Sequence, residues 1–345
     1  MGAEYTAHPG IKTMPKQERL DCTIPVELAG KRLDQVLAEL LPDHSRARLQ
    51  HWLKDGAIRI DGRPGRPRDR VLGGEHLEGC WELAEVVADA AQPMDLAVVY
   101  EDDDILVIDK PAGLVVHPAA GNPDGTLLNA LLHHAPVTAH LPRAGLVHRL
   151  DKDTSGLLVV AKSERARTGL VEQLQTRRMG REYQAVVSGV LVAGGLVDVP
   201  IGRHAIDRKR MAVSPGGKPA ITHFRVAERF RAHTHLYLRL ESGRTHQIRV
   251  HMAYLHHPLV GDPVYGGRLR LPPGAGAACV AALRGFGRQA LHARRLELVH
   301  PGSGRPLHWE SPTPADLAHL LDALRADAAT GALPDEDAGE CHYRD

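Results

Sequence analysis

Toward the N-terminus the apolar positions of the chain keep a helical spacing. Leu33, Val36, Leu37 and Leu40 fall at i, i+3, i+4 and i+7, the inward stripe of an amphipathic helix. A second helix is predicted from an N-cap at Ser45, with Leu49, Trp52 and Leu53 inward and Gly56 as its stop. Ile58-Arg59-Ile60 alternates as a short strand, and Asp61-Gly62 is a turn dipeptide. From Tyr100 the pattern changes to many short strands separated by turns. Ile105-Leu106-Val107-Ile108 and Leu157-Leu158-Val159-Val160-Ala161 read as buried strands, and Tyr183-Gln184-Ala185-Val186-Val187 as another. In His235-Leu236-Tyr237-Leu238-Arg239-Leu240-Glu241 the leucines share one face. Helices intervene. One is capped by Ser163 and buries Ala166, Leu170 and Leu174; another begins near Thr245, carries Ile248, Met252 and Leu255, and stops at His256-His257-Pro258. Strands outnumber helices and no strict βαβ alternation occurs. The expected class is α+β, with a mixed, mainly antiparallel β-sheet flanked by helices and no internal repeat.

Composition changes the class little but segments the chain. With 43% hydrophobic and 25% charged residues it is an ordinary globular protein, and a net charge of +1 leaves only the distribution of charge informative. Residues 45–70 hold eight Lys or Arg against three Asp, whereas residues 81–104 hold eight Asp or Glu and no Lys or Arg. That reversal, with Ala90-Ala91-Gln92-Pro93 inside it, marks a linker. The expected organisation is a flexible tail 1–20, a small domain 21–85, an acidic linker 86–96, a larger domain 97–325 and an acidic disordered tail 326–345. Met1-Gly2-Ala3-Glu4-Tyr5 lacks the basic segment and apolar core of a signal peptide, and no apolar run reaches membrane-span length. Cys22, Cys80, Cys279 and Cys341 are scattered without a C-x-x-C pair. The expectation is a cytoplasmic protein, without membrane contact, disulfide framework or zinc site.

The densest collection of reactive side chains is His148-Arg149-Leu150-Asp151-Lys152-Asp153-Thr154-Ser155-Gly156, set directly before the apolar run at 157–161. An Asp beside an Arg is most often a surface ion pair of small consequence. Here the charged turn abuts a buried strand, where a rigid sheet can hold a carboxylate ready for chemistry. Gly156 is expected to let the turn enter the sheet. Three more segments gather functional residue types: Lys110–Pro118 after a strand, Arg181-Glu182-Tyr183 opening one, and Gly243–His251 entering a helix. With only three Phe, three Trp and seven Tyr in the chain, Tyr183 at a charged strand edge stands out. Other motifs fail. His148-Arg149-Leu150-Asp151 has an intervening Leu and no Gly-rich phosphate loop, so it is not a kinase loop. Gly274-Ala275-Gly276-Ala277-Ala278-Cys279 lacks the preceding strand of a dinucleotide site. The histidine pairs at 133–134 and 256–257 lack metal-binding context, so neither metal nor cofactor is expected.

Together these segments resemble the RluA/RluD family of RNA pseudouridine synthases. The likeness rests on Lys-Pro-x-Gly-Leu-Val-Val-His-Pro at 110–118, on the nonapeptide with its apolar tail, on Gly-Arg-Thr-His-Gln-Ile-Arg-Val-His at 243–251, and on Gly261-Asp262-Pro263-Val264-Tyr265-Gly266-Gly267. It covers nearly all of residues 97–325. Residues 30–34, 45–49 and 58–62 are similar to an S4 RNA-binding domain, whose helix pair and hairpin present basic residues to structured RNA. The stretch 117–126 points to the branch acting on large-subunit ribosomal RNA.

The resemblance implies isomerisation of uridine within RNA, without a cofactor: the N-glycosidic bond breaks, the uracil turns while bound, and C5 bonds to C1′ and loses its proton. It implies 23S rRNA as substrate, in the helix-69 stem-loop, with the large ribosomal subunit or its precursor as partner of a monomer. Asp151 matches the catalytic aspartate, which either attacks the sugar or the base or takes a ribose proton. Arg249 matches its arginine partner, which offsets the desolvation of a carboxylate in a closed pocket. Tyr183 matches the tyrosine that stacks on the uracil and takes part in C5 deprotonation. Arg149 matches an arginine that enters the RNA where the base has left, and Ile248 is an apolar floor. Lys110, Lys152, Arg244 and His246 are candidates for phosphate contact or support of the site, and Arg46 and Arg48 for a basic face of the S4-like domain. Arg165, Arg167, Arg177, Arg178 and Arg181 form one basic patch, and Arg203, Arg208, Lys209 and Arg210 a second. The rival expectations are another 23S or tRNA site, and an RNA-binding ribosome-assembly factor with incidental catalysis.

Overall fold

The computed structural model describes residues 17–41, 46–82, 90–119, 121–207 and 210–330. They belong to two compact units, Met1–Ala88 and Asp89–Asp345.

In the first unit β1 (Gln17–Thr23), α1 (Leu33–Leu40), α2 (Arg46–Lys54), β2 (Ile58–Ile60), β3 (Arg63–Pro64) and β4 (His76–Glu82) set two helices against an antiparallel sheet ordered β1-β4-β2-β3. The helical spacing holds: Leu33, Val36 and Leu37 of α1 and Leu49, Trp52 and Leu53 of α2 are buried with Leu20, Ile58 and Leu77 of the sheet. Trp52 stacks on Trp81, with ring centroids 4.3 Å apart. Asp61-Gly62 reverses the chain between β2 and β3. The N-cap expected at Ser45 lies outside the described residues, as do the side chains of Arg46 and Arg48. β1 begins at Gln17, inside the segment expected to be a flexible tail. Its pairing along β4, from Gln17 opposite Glu82 to Thr23 opposite His76, supplies the backbone hydrogen bonds that its composition did not promise.

The second unit runs β5 (Val98–Glu101), β6 (Ile105–Lys110), α3 (Leu127–His134), β7 (Ser155–Ala161), α4 (Glu164–Gln175), β8 (Gly180–Ser188), β9 (Gly195–Asp198), β10 (Ile201–Arg203), β11 (Met211–Val213), β12 (Ile221–Arg229), β13 (His233–Leu240), α5 (Gln247–Tyr254), α6 (Ala277–Gly285), β14 (Leu291–Val299), β15 (Pro306–Glu310) and α7 (Ala315–Thr330). Among the described residues the main sheet has nine strands in the order β5-β6-β7-β14-β8-β13-β12-β9, with β15 beside β14. β10 and β11 form a separate hairpin. Among the described residues only the β7–β14 pairing is parallel, so the fold is α+β with a mixed, mainly antiparallel sheet.

The unbroken apolar runs follow from two covered faces. Leu106, Ile108, Leu158 and Val160 join a core with Tyr183 and Ile248, while Ile105, Val107, Leu157 and Val159 join another with Ala166 and Leu170 of α4. Each such side chain contributes about 1.5–3 kcal/mol on burial, which makes these strands a rigid mount for whatever leaves their ends. Leu174, expected inward, is half-buried because the end of α4 opens on a cleft. Gly156 lies within β7 at φ 113°; a Cβ there would stand 2.2 Å from the Ala293 carbonyl oxygen, so glycine is what allows β7 to run against β14.

Two element ends depart from expectation. The helix predicted near Thr245 starts at Gln247, because His246 takes a left-handed conformation (φ 57°) and the Gln247 side chain receives the Ser242 hydroxyl and the Arg244 amide. α7 continues to Thr330, into the segment expected to be a disordered tail. Asp327 is buried there, receiving the Gly276 N–H at 2.9 Å and pairing with Arg231 at 3.2 Å, so an acidic residue anchors the helix. Among the described residues no helix is long and apolar enough to cross a membrane, and no three His, Cys, Asp or Glu side chains gather as a metal site.

Candidate active site

Asp151 follows buried Leu150 and stands in the turn that leads into β7. Backbone bonds fix this turn from several sides. The Thr154 N–H donates to the Asp151 carbonyl (3.1 Å), the Gly113 N–H to the Lys152 carbonyl (3.0 Å) and Arg288 Nη1 to the Asp153 carbonyl (3.1 Å). Lys110, only 1% exposed, ties the same turn to the 110–114 loop: its Nζ donates to the carbonyls of Pro111 (2.7 Å), Leu114 (3.0 Å) and Lys152 (2.9 Å). Burial pulls its pKa down to about 8, against the opposing pull of Asp153 and Asp151. All three ammonium protons are thus engaged by main-chain carbonyls, which makes Lys110 a buried clamp of this turn.

Arg249 arrives from α5. Its Nε (2.7 Å) and Nη2 (2.9 Å) grip the buried carboxylate of Asp262, leaving Nη1 to donate to Asp151 Oδ2 at 2.9 Å. Asp262 is itself oriented by the Val264 and Tyr265 N–H groups, at 2.8 and 3.0 Å. Burial by itself lowers the Arg249 pKa, but Asp262 and then Asp151 outweigh it and the net shift is upward. Burial raises the Asp262 carboxyl; Arg249 and the two amides hold it below the usual carboxylate range. A guanidinium locked on one carboxylate thus presents a fixed edge to the other. Asp151 Oδ1 has no hydrogen bond among the described residues, and His246 Nε2 stands 3.8 Å from it. The Tyr265 hydroxyl accepts the Met211 N–H and meets His246 Nδ1, both at 2.9 Å. A Tyr265 hydroxyl that donates to Nδ1 leaves the imidazole proton on Nε2, toward Asp151.

Asp151, Tyr183, Ile248, Arg249, Arg149, Arg244 and His246 all line one cleft of about 560 Å³. Tyr183 and Ile248 are buried in its wall, and Arg149 and Arg244 are exposed at its rim. Burial raises the Tyr183 pKa, Arg181 pulls it down and Asp151 adds to the rise. Lys152 is exposed and outside the cleft. Within the first basic patch, Arg165 pairs with Asp104, Arg167 with Glu164, Arg177 with Glu241 and Arg178 with Glu172; Arg181 has no carboxylate partner among the described residues. Within the second, Arg208 and Lys209 lie outside the described residues and Arg210 stands over the Tyr265 ring at 5.2 Å. Asp262, Tyr265 and Arg181 are the residues that sequence reasoning gave no individual role. Their signals were a lone carboxylate in a Gly- and Pro-punctuated segment, and the i, i+2 spacing of Arg181 and Tyr183 along a strand.

Two cleft histidines set a pH dependence. His148 Nε2 accepts the Val159 N–H at 3.1 Å; burial, then the Arg181 charge, lowers its pKa to about 3. Burial, with Arg149 and Arg143, lowers that of His117 to about 4. Both stay neutral in the folded protein while the unfolded chain takes up protons below about pH 6.5. Their contribution to stability is therefore complete above that pH and lost as pH falls toward 4 and 3. The urea midpoint is expected to fall between pH 7 and 4.5. His148→Gln, which keeps an acceptor for Val159, is expected to reduce proton uptake on unfolding by about one. An unchanged slope in that variant would refute the assignment.

Residues 104–254 match the family model described as RNA pseudouridylate synthase, and residues 31–77 match that of the S4 domain. The chain is 59% identical over 304 residues to "Ribosomal large subunit pseudouridine synthase D" of Pseudomonas aeruginosa, covering 88% of this chain and 95% of that protein. It is 56% identical over 324 residues to the protein of the same name from Vibrio vulnificus, with 94% and 100% covered. For the Escherichia coli K12 protein of that name the figures are 55% over 315 residues, with 91% and 97% covered. Among solved structures, "Human RNA Pseudouridylate Synthase Domain Containing 4" superposes with a TM-score of 0.52 at 27% identity, over 66% of this chain and 93% of that one.

Proposed function

The chain belongs to the RNA pseudouridylate synthase family, an isomerase acting on uridine in RNA, and from that premise we propose that its substrate is 23S rRNA of the large ribosomal subunit. Support comes from the names of relatives that share more than half of their residues with it. Within that RNA we assign the helix-69 stem-loop, on the likeness carried by residues 117–126.

The observation that carries the site is the Asp151 carboxylate in the wall of the cleft, joined to Arg249 Nη1 at 2.9 Å while the rest of that guanidinium is locked on Asp262. Asp151 is the reacting carboxylate, with Oδ1 the oxygen left without a hydrogen bond. Arg249 offsets the desolvation of that charge as the RNA closes the cleft. Tyr183 and Ile248 take the uracil between ring and aliphatic side chain, and Tyr183 serves the proton loss at C5. Arg149 at the rim fills the stack the base has left, offsetting part of the few kcal/mol that extrusion costs. The balance is internal: N1–C1′ breaks, C5–C1′ forms, C5 gives up a proton and N1 gains one. No donor, acceptor or external energy is required.

The test is to map pseudouridines in ribosomal and transfer RNA from a strain lacking this gene, before and after complementation. Loss and return in helix 69 of 23S rRNA is the expected result; return confined to tRNA would overturn the substrate. The S4-like unit is proposed to add a sequence-tolerant grip. Deleting residues 1–85 is expected to weaken binding to large-subunit rRNA more than turnover of a short stem-loop, read by gel shift and tritium release. Unchanged rRNA affinity would count against that role.

A further inference from the structure

Arg181 sits on β8 two residues before Tyr183 and so on the same face of the strand. It is 7% exposed, its Nε is buried with no hydrogen-bond partner, and no carboxylate pairs with it among the described residues. A guanidinium withdrawn from water without a counter-charge is strongly unfavourable unless an anion arrives. Of the other arginines of the cleft, Arg249 is engaged by Asp262 and Asp151, Arg177 by Glu241 and Arg244 by the Pro219 carbonyl, while Arg143 and Arg149 are exposed to water and need no counter-charge. Space is made for Arg181 by Gly243, where a Cβ would lie 2.8 Å from its Nη1. A second orphan stands in the same cleft. His148 uses Nε2 to accept from Val159, so its proton is on Nδ1, and that nitrogen is buried without a partner. Among the described residues these two donors of the cleft, one of them charged, lack an acceptor, and His117 Nε2 in the same lining is likewise buried without a partner.

We propose that Arg181 and His148 seat a phosphodiester flanking the uridine that enters the cleft, an inference that rests on the pseudouridine synthase reading above. The charge identifies the ligand group. Uracil carbonyls accept hydrogen bonds but bring no net charge, whereas a phosphodiester brings one negative charge and two non-bridging oxygens suited to the guanidinium fork. Held beside Tyr183 on a rigid strand, that phosphate fixes the nucleotide backbone while the base lies between Tyr183 and Ile248. Arg181 is thus a positioning residue for the substrate.

The test uses the full-length protein and stem-loop RNAs in which the phosphate 5′ or 3′ of the target uridine is replaced by an uncharged methylphosphonate. For the wild type, one of the two replacements is expected to lower kcat/KM about 10- to 100-fold, mainly through KM. Arg181→Met is expected to lose as much on unmodified RNA and nothing more on that methylphosphonate RNA. His148→Asn is expected to lose part of the effect. Without RNA, Arg181→Met is expected to unfold at the same or a higher temperature, since an unpaired buried charge has been removed. Three results would overturn the inference: an Arg181→Met enzyme still sensitive to the same replacement, a loss confined to kcat with a displaced pH profile, or a marked fall in unfolding temperature. A wild type that makes no pseudouridine would instead overturn the functional reading, and the same cycle run on RNA affinity then decides the phosphate seat.

Discussion

Asp151→Asn is expected to leave the protein folded and able to bind RNA within a few-fold of the wild-type affinity, yet to abolish pseudouridine formation. The turn that carries this side chain does not depend on its charge: Thr154, Gly113 and Lys110 hold the turn through main-chain carbonyls. Arg249 keeps its two-point grip on Asp262 when the charge of Asp151 is removed. What disappears is the carboxylate proposed to react. Removing such a group lowers turnover by about 10²- to 10⁶-fold in enzymes that depend on one. Single-turnover tritium release from C5-labelled uridine, with a gel shift on the same RNA, separates the two quantities. Appreciable turnover would sink the assignment of Asp151. A loss of affinity as large as the loss of rate would place Asp151 among the binding groups instead.

The same contrast between local and distant constraint explains what could be read from the chain. β6 and β7 were legible because strands covered on both faces become unbroken apolar runs, a property of a few consecutive residues. The start of α5 and the end of α7 were not, because Gln247 also donates to the Ile221 carbonyl and the Thr222 hydroxyl, and Asp327 meets Gly276 and Arg231, all distant in sequence. In the site, the motifs pointed to Asp151, Tyr183 and Arg249 one at a time. That Arg249 meets Asp151 from 98 residues away is a fact of topology with no local signature. Lys110 carried two expectations, phosphate contact or support of the site, for a related reason. A lysine closing an apolar strand fits either, and the three carbonyls around its ammonium favour support of the site. Arg178 and Arg181 are three positions apart in one basic segment, yet the first precedes β8 and reaches Glu172 while the second is turned inward by strand alternation. The 22 histidines had no account from sequence. Several prove to be buried bridges: His251 joins Thr222 to the Val199 carbonyl, His292 meets Ser155, and His300 meets Asp102.

Asp262→Ala is expected to be the most destabilising single change at the site, by about 3–5 kcal/mol, the range for removing one member of a buried ion pair. The loss has two sources that do not simply add. Arg249 is left buried with one partner, and the Val264 and Tyr265 N–H groups lose their acceptor, at about 1–3 kcal/mol for each unsatisfied group. The damage also reaches chemistry. Tyr265 receives the Met211 N–H, contacts His246 and lies under the Arg249 guanidinium at 5.1 Å, so its displacement disturbs the groups around Asp151. Freed from Asp262, Arg249 can turn both arms of its fork onto Asp151 and engage Oδ1. We therefore expect the folded fraction of the variant, assayed well below its unfolding midpoint, to lose at least about 10-fold in kcat. Asp262→Asn keeps an acceptor for the amides but not the charge, and is expected to be milder in both respects. The carboxyl of Asp262 is held below its ordinary value of 3.8. Its contribution is therefore complete above about pH 4 and lost as pH falls through the lower folded value, so the stability gap between wild type and Asp262→Asn is expected to close only in that acid range. Urea unfolding at a series of pH values reads the gap. A gap that closed near neutrality, or a variant with full stability and turnover, would mean that Arg249 is aimed by something other than Asp262. If both hold, Asp151→Asn and Asp262→Asn divide the site in two: the first removes the reacting group and spares the fold, the second leaves the reacting group and removes what aims its partner.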